Sequence, residues 1–186
     1  MKLADWIAEK VTKDPRAMRW FDTPEGEDRI ARCYKELLGG YDIDPATILK
    51  TTRMLGAKEV PGKVLVKDIV FYSICAHHFL PFFGKISICY VPGDRILGLG
   101  KLPRLVQAYS QRFQIQEDLV REIAHEMMNT GHARGVHVKS AAQHLCMLSR
   151  GPKNPSSVTD AEFALGTLSD QCEYGCLSKS HDVAQS

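Results

Sequence analysis

Any fold open to this chain must bring together two short groups of ligand-type side chains that lie far apart in sequence. Cys75-Ala-His77-His78 and His144-Leu-Cys146 are separated by positions 79–143, which is 65 residues. Each group has apolar neighbours, in Phe71-Tyr-Ser-Ile-Cys-Ala-His-His-Phe-Leu-Pro and Ala-Ala-Gln-His-Leu-Cys-Met. Thiolate and imidazole are the donors that a borderline-soft ion such as zinc prefers. Three of these five side chains could hold a metal and leave one position open to water, with two histidines remaining for proton transfer. That surplus points to catalysis rather than to a structural metal. On a strand, His144 and Cys146 would share one face, and a tight turn would bring Cys75 and His78 together.

The bulk properties narrow the classes around such a site. A chain of 186 residues and 20.8 kDa suits one domain with a helical extension. With 44% hydrophobic and 25% charged residues it is expected to pack a core rather than remain disordered. A net charge of +2 offers no bulk argument for nucleic acid or membrane as a partner, so any anion binding must come from a local cluster. Charges interrupt the apolar positions of the first ten residues, which therefore lack a signal-peptide core. No window approaches the roughly 18 apolar residues of a membrane span, and a soluble, cytoplasmic protein is expected. In that setting the six cysteines favour metal binding or burial over disulfides. Cys33, on the apolar face of a helix, and Cys89, in a strand-like run, read as buried structural thiols. Cys172 and Cys176 flank Glu-Tyr-Gly in a polar tail with no nearby pair to complete a site.

Punctuation along the chain predicts its elements. Thr23-Pro24 reads as an N-cap and first helical residue, with Ile30, Cys33, Tyr34, Leu37 and Leu38 at helical spacing and Gly39-Gly40 as the stop. Asp44-Pro45 opens a short helical segment expected to run towards Gly56. From Gly62 the pattern turns to β-branched and aromatic residues that end at Cys75, and Gly84–Pro92 reads as the hairpin partner, closed by Pro92-Gly93-Asp94. Residues 102–130 read as two helices, with Met127 and Met128 as core filler. A short strand around Val136 and Val138 leads on towards Cys146. The order predicts an α+β fold with antiparallel pairing. The expected divisions are an N-terminal helical segment over 1–56, a catalytic domain over 57–170 and a mobile tail over 171–186. His125, His132, His137 and His181, each isolated, read as ordinary surface or core residues.

Four ordered motifs between roughly Arg29 and Gly151 then resemble the GTP cyclohydrolase I family. They are Phe71-Tyr72-Ser73-x-Cys75-x-His77-His78-x-x-Pro81-Phe82-x-Gly84, Gly98-Leu99-x-Lys101-x-x-Arg104, Gln114-x-Gln116-Glu117 and His144-x-Cys146-Met147-x-x-Arg150-Gly151. The resemblance implies the tunnelling fold, an antiparallel four-stranded sheet with two long helices, here with N-terminal helices added. It also implies a toroidal homo-decamer with active sites at subunit interfaces. Carried over, Cys75, His78 and Cys146 would be the zinc ligands and His77 and His144 the proton-transfer pair. Glu117, with Gln116, would hold the guanine edge of GTP, since a carboxylate accepts from both N1–H and the exocyclic amine. Lys101, Arg104 and Arg150 would bind the triphosphate. Read without the motif, Lys101 and Arg104 would be a solvated helix start. Zinc lowers the pKa of a water it holds, and a histidine near pKa 6.5 suits protonation of purine N7.

The chain departs from the family pattern at three places. Ala76 stands where the family has Glu, Gly100 where it has Ser before the lysine, and Ala141 where it has Glu three residues before the second histidine. Loss of two acids near a metal–histidine centre would alter the orientation and basicity of its ligands. Loss of the serine hydroxyl bears on the later ribose rearrangement. Three readings follow. The first is full conversion of GTP to 7,8-dihydroneopterin triphosphate with loss of formate. The second is a divergent enzyme that stops before rearrangement or uses another purine. The third is a non-catalytic zinc- or nucleotide-binding module.

Overall fold

The β-branched and aromatic run from Gly62 onwards forms the longest strands of the chain. In the computed structural model, which describes residues 2–171, strand β1 spans Thr51–Met54, β2 Val64–Cys75, β3 Pro81–Val91, β4 Arg95–Leu97, β5 Phe113–Gln114, β6 Gly135–His144 and β7 Thr159–Gly166. The helices are α1 (Leu3–Lys10), α2 (Pro15–Met18), α3 (Pro24–Leu37), α4 (Lys101–Ser110), α5 (Gln116–Asn129) and the single turn α6 (Leu145–Leu148). The residues fall into two compact units, one ending at Leu38 and one beginning at Gly39.

The first unit holds α1 to α3. Thr23 caps α3 as its sequence predicts, its hydroxyl oxygen accepting from the Gly26 amide at 3.0 Å, with Pro24 in the first turn. Cys33 is exposed rather than buried, while Ile30, Tyr34 and Leu37 are only half-covered. Helical periodicity identifies a face that favours burial, but it does not supply the surface that buries it.

In the second unit the fold is mixed α+β, and its main sheet differs from the expected four strands. The order is β5-β2-β3-β6-β7. The four long strands are antiparallel neighbours, and the two-residue β5 adds a fifth, parallel strand through Ile74↔Phe113 and Cys75↔Gln114. A run of two residues carries no period, so propensity could not reveal it. Strands β1 and β4 form a separate antiparallel ribbon. Thr51–Met54 is therefore extended, not helical. The segment opened by Asp44-Pro45 is helical only as a 3-10 turn over Pro45–Thr47. β6 is longer than the short strand expected around Val136 and Val138.

Helices α4 and α5 cover one face of the sheet. Leu102, Leu105 and Val106 of α4 and Leu119, Val120, Ile123 and Met127 of α5 pack onto Phe82, Ile86, Ile88, Tyr90, Val136 and Val138. Truncating a fully buried side chain of this set, such as Ile86, to alanine costs roughly 2–5 kcal/mol. Cys89 is buried on the opposite face with Leu168 and is disulfide-bonded rather than a free thiol. Cys172, Cys176, His181 and the expected tail beyond 171 lie outside the described residues.

Close strand approach explains one glycine of the family-like motif. Gly84 pairs with Ala142, and a Cβ built on it would stand 2.0 Å from the Ala141 carbonyl oxygen and 2.7 Å from the Ala142 Cα. Backbone cannot move aside as a flexible side chain can. Gly84→Ala is therefore expected to lower stability by about 1–3 kcal/mol, measured as a fall in the urea midpoint. Gly62→Ala, where a Cβ meets nothing within 4 Å, serves as the control that leaves the midpoint in place.

Candidate metal and nucleotide site

The antiparallel register delivers the two ligand groups to one end of the sheet. β2 ends at Cys75, and a turn of backbone bonds holds the hairpin there. The Cys75 amide donates to the Leu80 carbonyl and the Phe79 amide to the Cys75 carbonyl, each at 2.9 Å. Phe79 takes a positive φ of 58°, so the chain reverses sharply and leaves Ala76, His77 and His78 exposed on the turn. β3 then pairs with β6 so that Phe82 faces His144. Cys146 does not share a strand face with His144. β6 stops at His144, and the turn of α6 carries Cys146 back into the core.

The donor atoms of Cys75, His78 and Cys146 lie within 4.8 Å of one another. Both cysteines are buried and free, and His78 is exposed. Burial pushes the Cys146 thiol up, and its contact with Cys75 pushes it further, while Arg150 pulls the other way. Two adjacent buried thiols resist ionising together unless a cation joins them. Two sulfurs and one imidazole suit zinc. Among the described residues no fourth Cys, His, Asp or Glu joins the group.

Around these donors lies a cleft of about 280 Å³ lined by His77, Gln116, Glu117, His144, Met147 and Thr159 as well as the cysteines and His78. The His144 ring stacks on Phe82, with centroids 4.5 Å apart and planes at 6°. Burial holds the His144 pKa below the ordinary imidazole value, with Glu117 pulling it back up. Glu117 is exposed in the first turn of α5. Gln116 beside it is 1% exposed, and its side chain bonds to His144, Ser140 and Thr159.

The remaining expected residues do not all converge. Lys101 and Arg104 open α4, whereas its far end leads through Phe113 and Gln114 to the side of Cys75. Ten helical residues span roughly 15 Å, and neither cation lines the cleft. Arg150 is exposed just beyond α6, close enough to act on Cys146. Ala76 is exposed on the turn. Ala141 lines a different cavity with Val70, Tyr72, Phe83 and Val158, so an acid lost there is not lost from the cleft. Gly100 precedes α4 with φ −66°, and a Cβ on it would meet nothing within 4 Å.

Sequence reading missed Phe82, Ser140 and Thr159. Phe82 lies inside the first motif, where nothing local marks its stack on His144. Ser140 and Thr159 are 24 and 43 residues from Gln116, so nothing local marks their bond to it.

Residues 2–175 match the GTP cyclohydrolase I family. The GTP cyclohydrolase 1 of Clostridium kluyveri is 37% identical over 168 residues, covering 90% of this chain and 88% of that protein. That of Clostridium perfringens strain 13 is 40% identical over 153 residues, covering 82% and 80%. Among solved structures, the apo archaeosine synthase QueF-Like aligns over 58% of this chain and 97% of its own, at a TM-score of 0.46 and 16% identity. A match along nearly the whole chain, with relatives that share well over a third of their aligned residues, makes this protein a member of the GTP cyclohydrolase I family.

Proposed function

We propose that this protein is a zinc-dependent GTP cyclohydrolase I. It opens the guanine imidazole ring at C8, releases formate and rearranges the remainder to 7,8-dihydroneopterin triphosphate. One observation carries the reading: the three clustered donors Cys75, His78 and Cys146 share a cleft with two further histidines and a free carboxylate.

Cys75, His78 and Cys146 would hold the ion. When bound it would act as a Lewis acid and lower the pKa of water at its open position. The Glu117 carboxylate would accept from guanine N1–H and the 2-amino group, fixing the base in the cleft. His77 and His144 would handle the protons of the reaction, with protonation at N7 making C8 electrophilic. The stack of His144 on Phe82 keeps the ring in one plane, which serves a group that must meet its substrate in one orientation.

A cleft of about 280 Å³ suits a base and part of a sugar, so a triphosphate would extend past its lining. Arg150 stands near that edge, while Lys101 and Arg104 lie at the other end of α4. If all three bind one triphosphate, Lys101 and Arg104 act from another copy of the chain. The exposed apolar face around Val70 and Tyr72, about 60% exposed, fits that assembly, since such a patch marks a contact surface. This supports a homo-oligomer of the tunnelling-fold type, with a toroidal decamer as the expected form and the cytoplasm, where GTP is found, as its site of action.

Gly100 favours a second reading, in which the ring opens but the ribose is not rearranged. The family serine is absent there, so no side-chain hydroxyl immediately precedes Lys101.

Zinc-loaded protein incubated with GTP is expected to yield formate and, after oxidation, a fluorescent pterin. Formate with an opened pyrimidine and no pterin would select the second reading, and no formate from GTP would reject the assignment. Chelation is expected to abolish formate release and added zinc to restore it, and Cys146→Ala is expected to lose stoichiometric zinc by metal analysis. Gly100→Ser, which the local space accepts, is expected to raise the ratio of pterin to opened intermediate. An unchanged ratio would show that the missing hydroxyl does not limit rearrangement.

A further inference from the structure

The side chain of Gln116 is enclosed in a hydrogen-bond chain whose polarity can be read from its far end. The Ser140 hydroxyl donates to the Ala161 carbonyl at 3.3 Å. A hydroxyl has one hydrogen, so towards Gln116 the Ser140 oxygen can only accept. The Gln116 amide nitrogen donates to that oxygen at 2.8 Å and to the Thr159 carbonyl at 2.8 Å. Both hydrogens of the amide are thereby committed. A flipped amide would set its carbonyl oxygen against two acceptors, so the network decides the orientation that electron density rarely does.

The consequence falls on His144. The Gln116 carbonyl oxygen lies 2.8 Å from His144 Nε2, and an oxygen there accepts only. His144 must therefore carry a hydrogen on Nε2, and its neutral ring keeps the lone pair on Nδ1. Phe82 stacked on the ring and the buried Gln116 beneath it leave the imidazole little freedom to turn.

We propose that Gln116 is a positioning residue for His144, not a contact of the guanine edge. It fixes the ring's tautomer and orientation, leaving Nδ1 as the nitrogen with the lone pair. Ser140 and the Thr159 and Ala161 carbonyls act through it. Glu117 alone then reads the guanine N1–H and 2-amino group. Gln116 and Glu117 are adjacent, but the first turn of α5 sends one side chain into the core and leaves the other exposed.

The kinetic part of this assignment rests on the function proposed above, while the tautomer does not. Neutron diffraction from crystals of the zinc-loaded wild-type protein, without nucleotide, reads the ring directly. A deuteron on His144 Nε2 directed at Gln116 is expected, and a bare Nε2 with the deuteron on Nδ1 overturns the proposal even if GTP is turned over. Gln116→Met keeps side-chain length but removes both halves of the amide. It is expected to lower kcat by about 10–100-fold, with KM for GTP unchanged within about twofold. Ser140→Ala, a smaller change, is expected to lower kcat less and again to spare KM. A rise in KM at constant kcat in Gln116→Met would return Gln116 to the guanine edge and overturn the assignment. Failure of the wild-type protein to open GTP would remove the reaction and leave the neutron result to decide the tautomer.

Discussion

Backbone pairing between β3 and β6 sets Phe82 opposite His144, and the rest of the cleft is built from that register. Side chains alternate between faces of a sheet, so a slip of one residue would turn His144 to the face away from the helices. The same slip would carry Cys146 out of reach of Cys75. The long apolar ladder of Ile86, Ile88, Tyr90, Val136 and Val138 under α4 and α5 holds the register from the other end of the strands. The geometry of the cleft thus rests on hydrophobic burial at a distance from it.

A second constraint is the conflict between ionisation and burial at the cysteines. Desolvation disfavours the Cys146 thiolate, and the neighbouring Cys75 adds to the effect. A site that is unfavourable when both thiols ionise alone is favourable with a divalent cation between them. Metal binding and the stability of this corner of the fold are accordingly expected to be coupled. The exposed turn carries His77 and His78, and His78 is the third ligand-type residue of the group.

The polar chain from Ala161 through Ser140 and Gln116 to His144 links β7, β6 and α5 at the base of the cleft. Such networks are stabilising only when every member is satisfied, and this one ends on backbone carbonyls that have no alternative polarity. Two apparently similar neighbours are separated by it. Gln116 belongs to the support of the site and Glu117 to its surface. Ala141 is likewise separated from the cleft by strand alternation, although it lies only three residues from His144.

Local signals in the sequence determined much of this protein. The cap at Thr23, the periods of α4 and α5, the β2–β3 hairpin and the two local groups Cys75-Ala-His77-His78 and His144-Leu-Cys146 all follow from short-range chemistry. Their clustering made a candidate metal site legible, because ligand-type residues rarely coincide twice beside apolar runs. Only the tertiary structure decided what depends on distant pairing. The two-residue β5 has no period to detect, and Cys146 reaches the site through a helical turn rather than along a strand. Cys33 stays exposed because amphipathicity specifies a face and not its cover. The role of Gln116 depends on Ser140 and Thr159, which are brought to it by strand register alone. Hydrogen-bond polarity is a property of three-dimensional neighbours, and a linear sequence does not contain it.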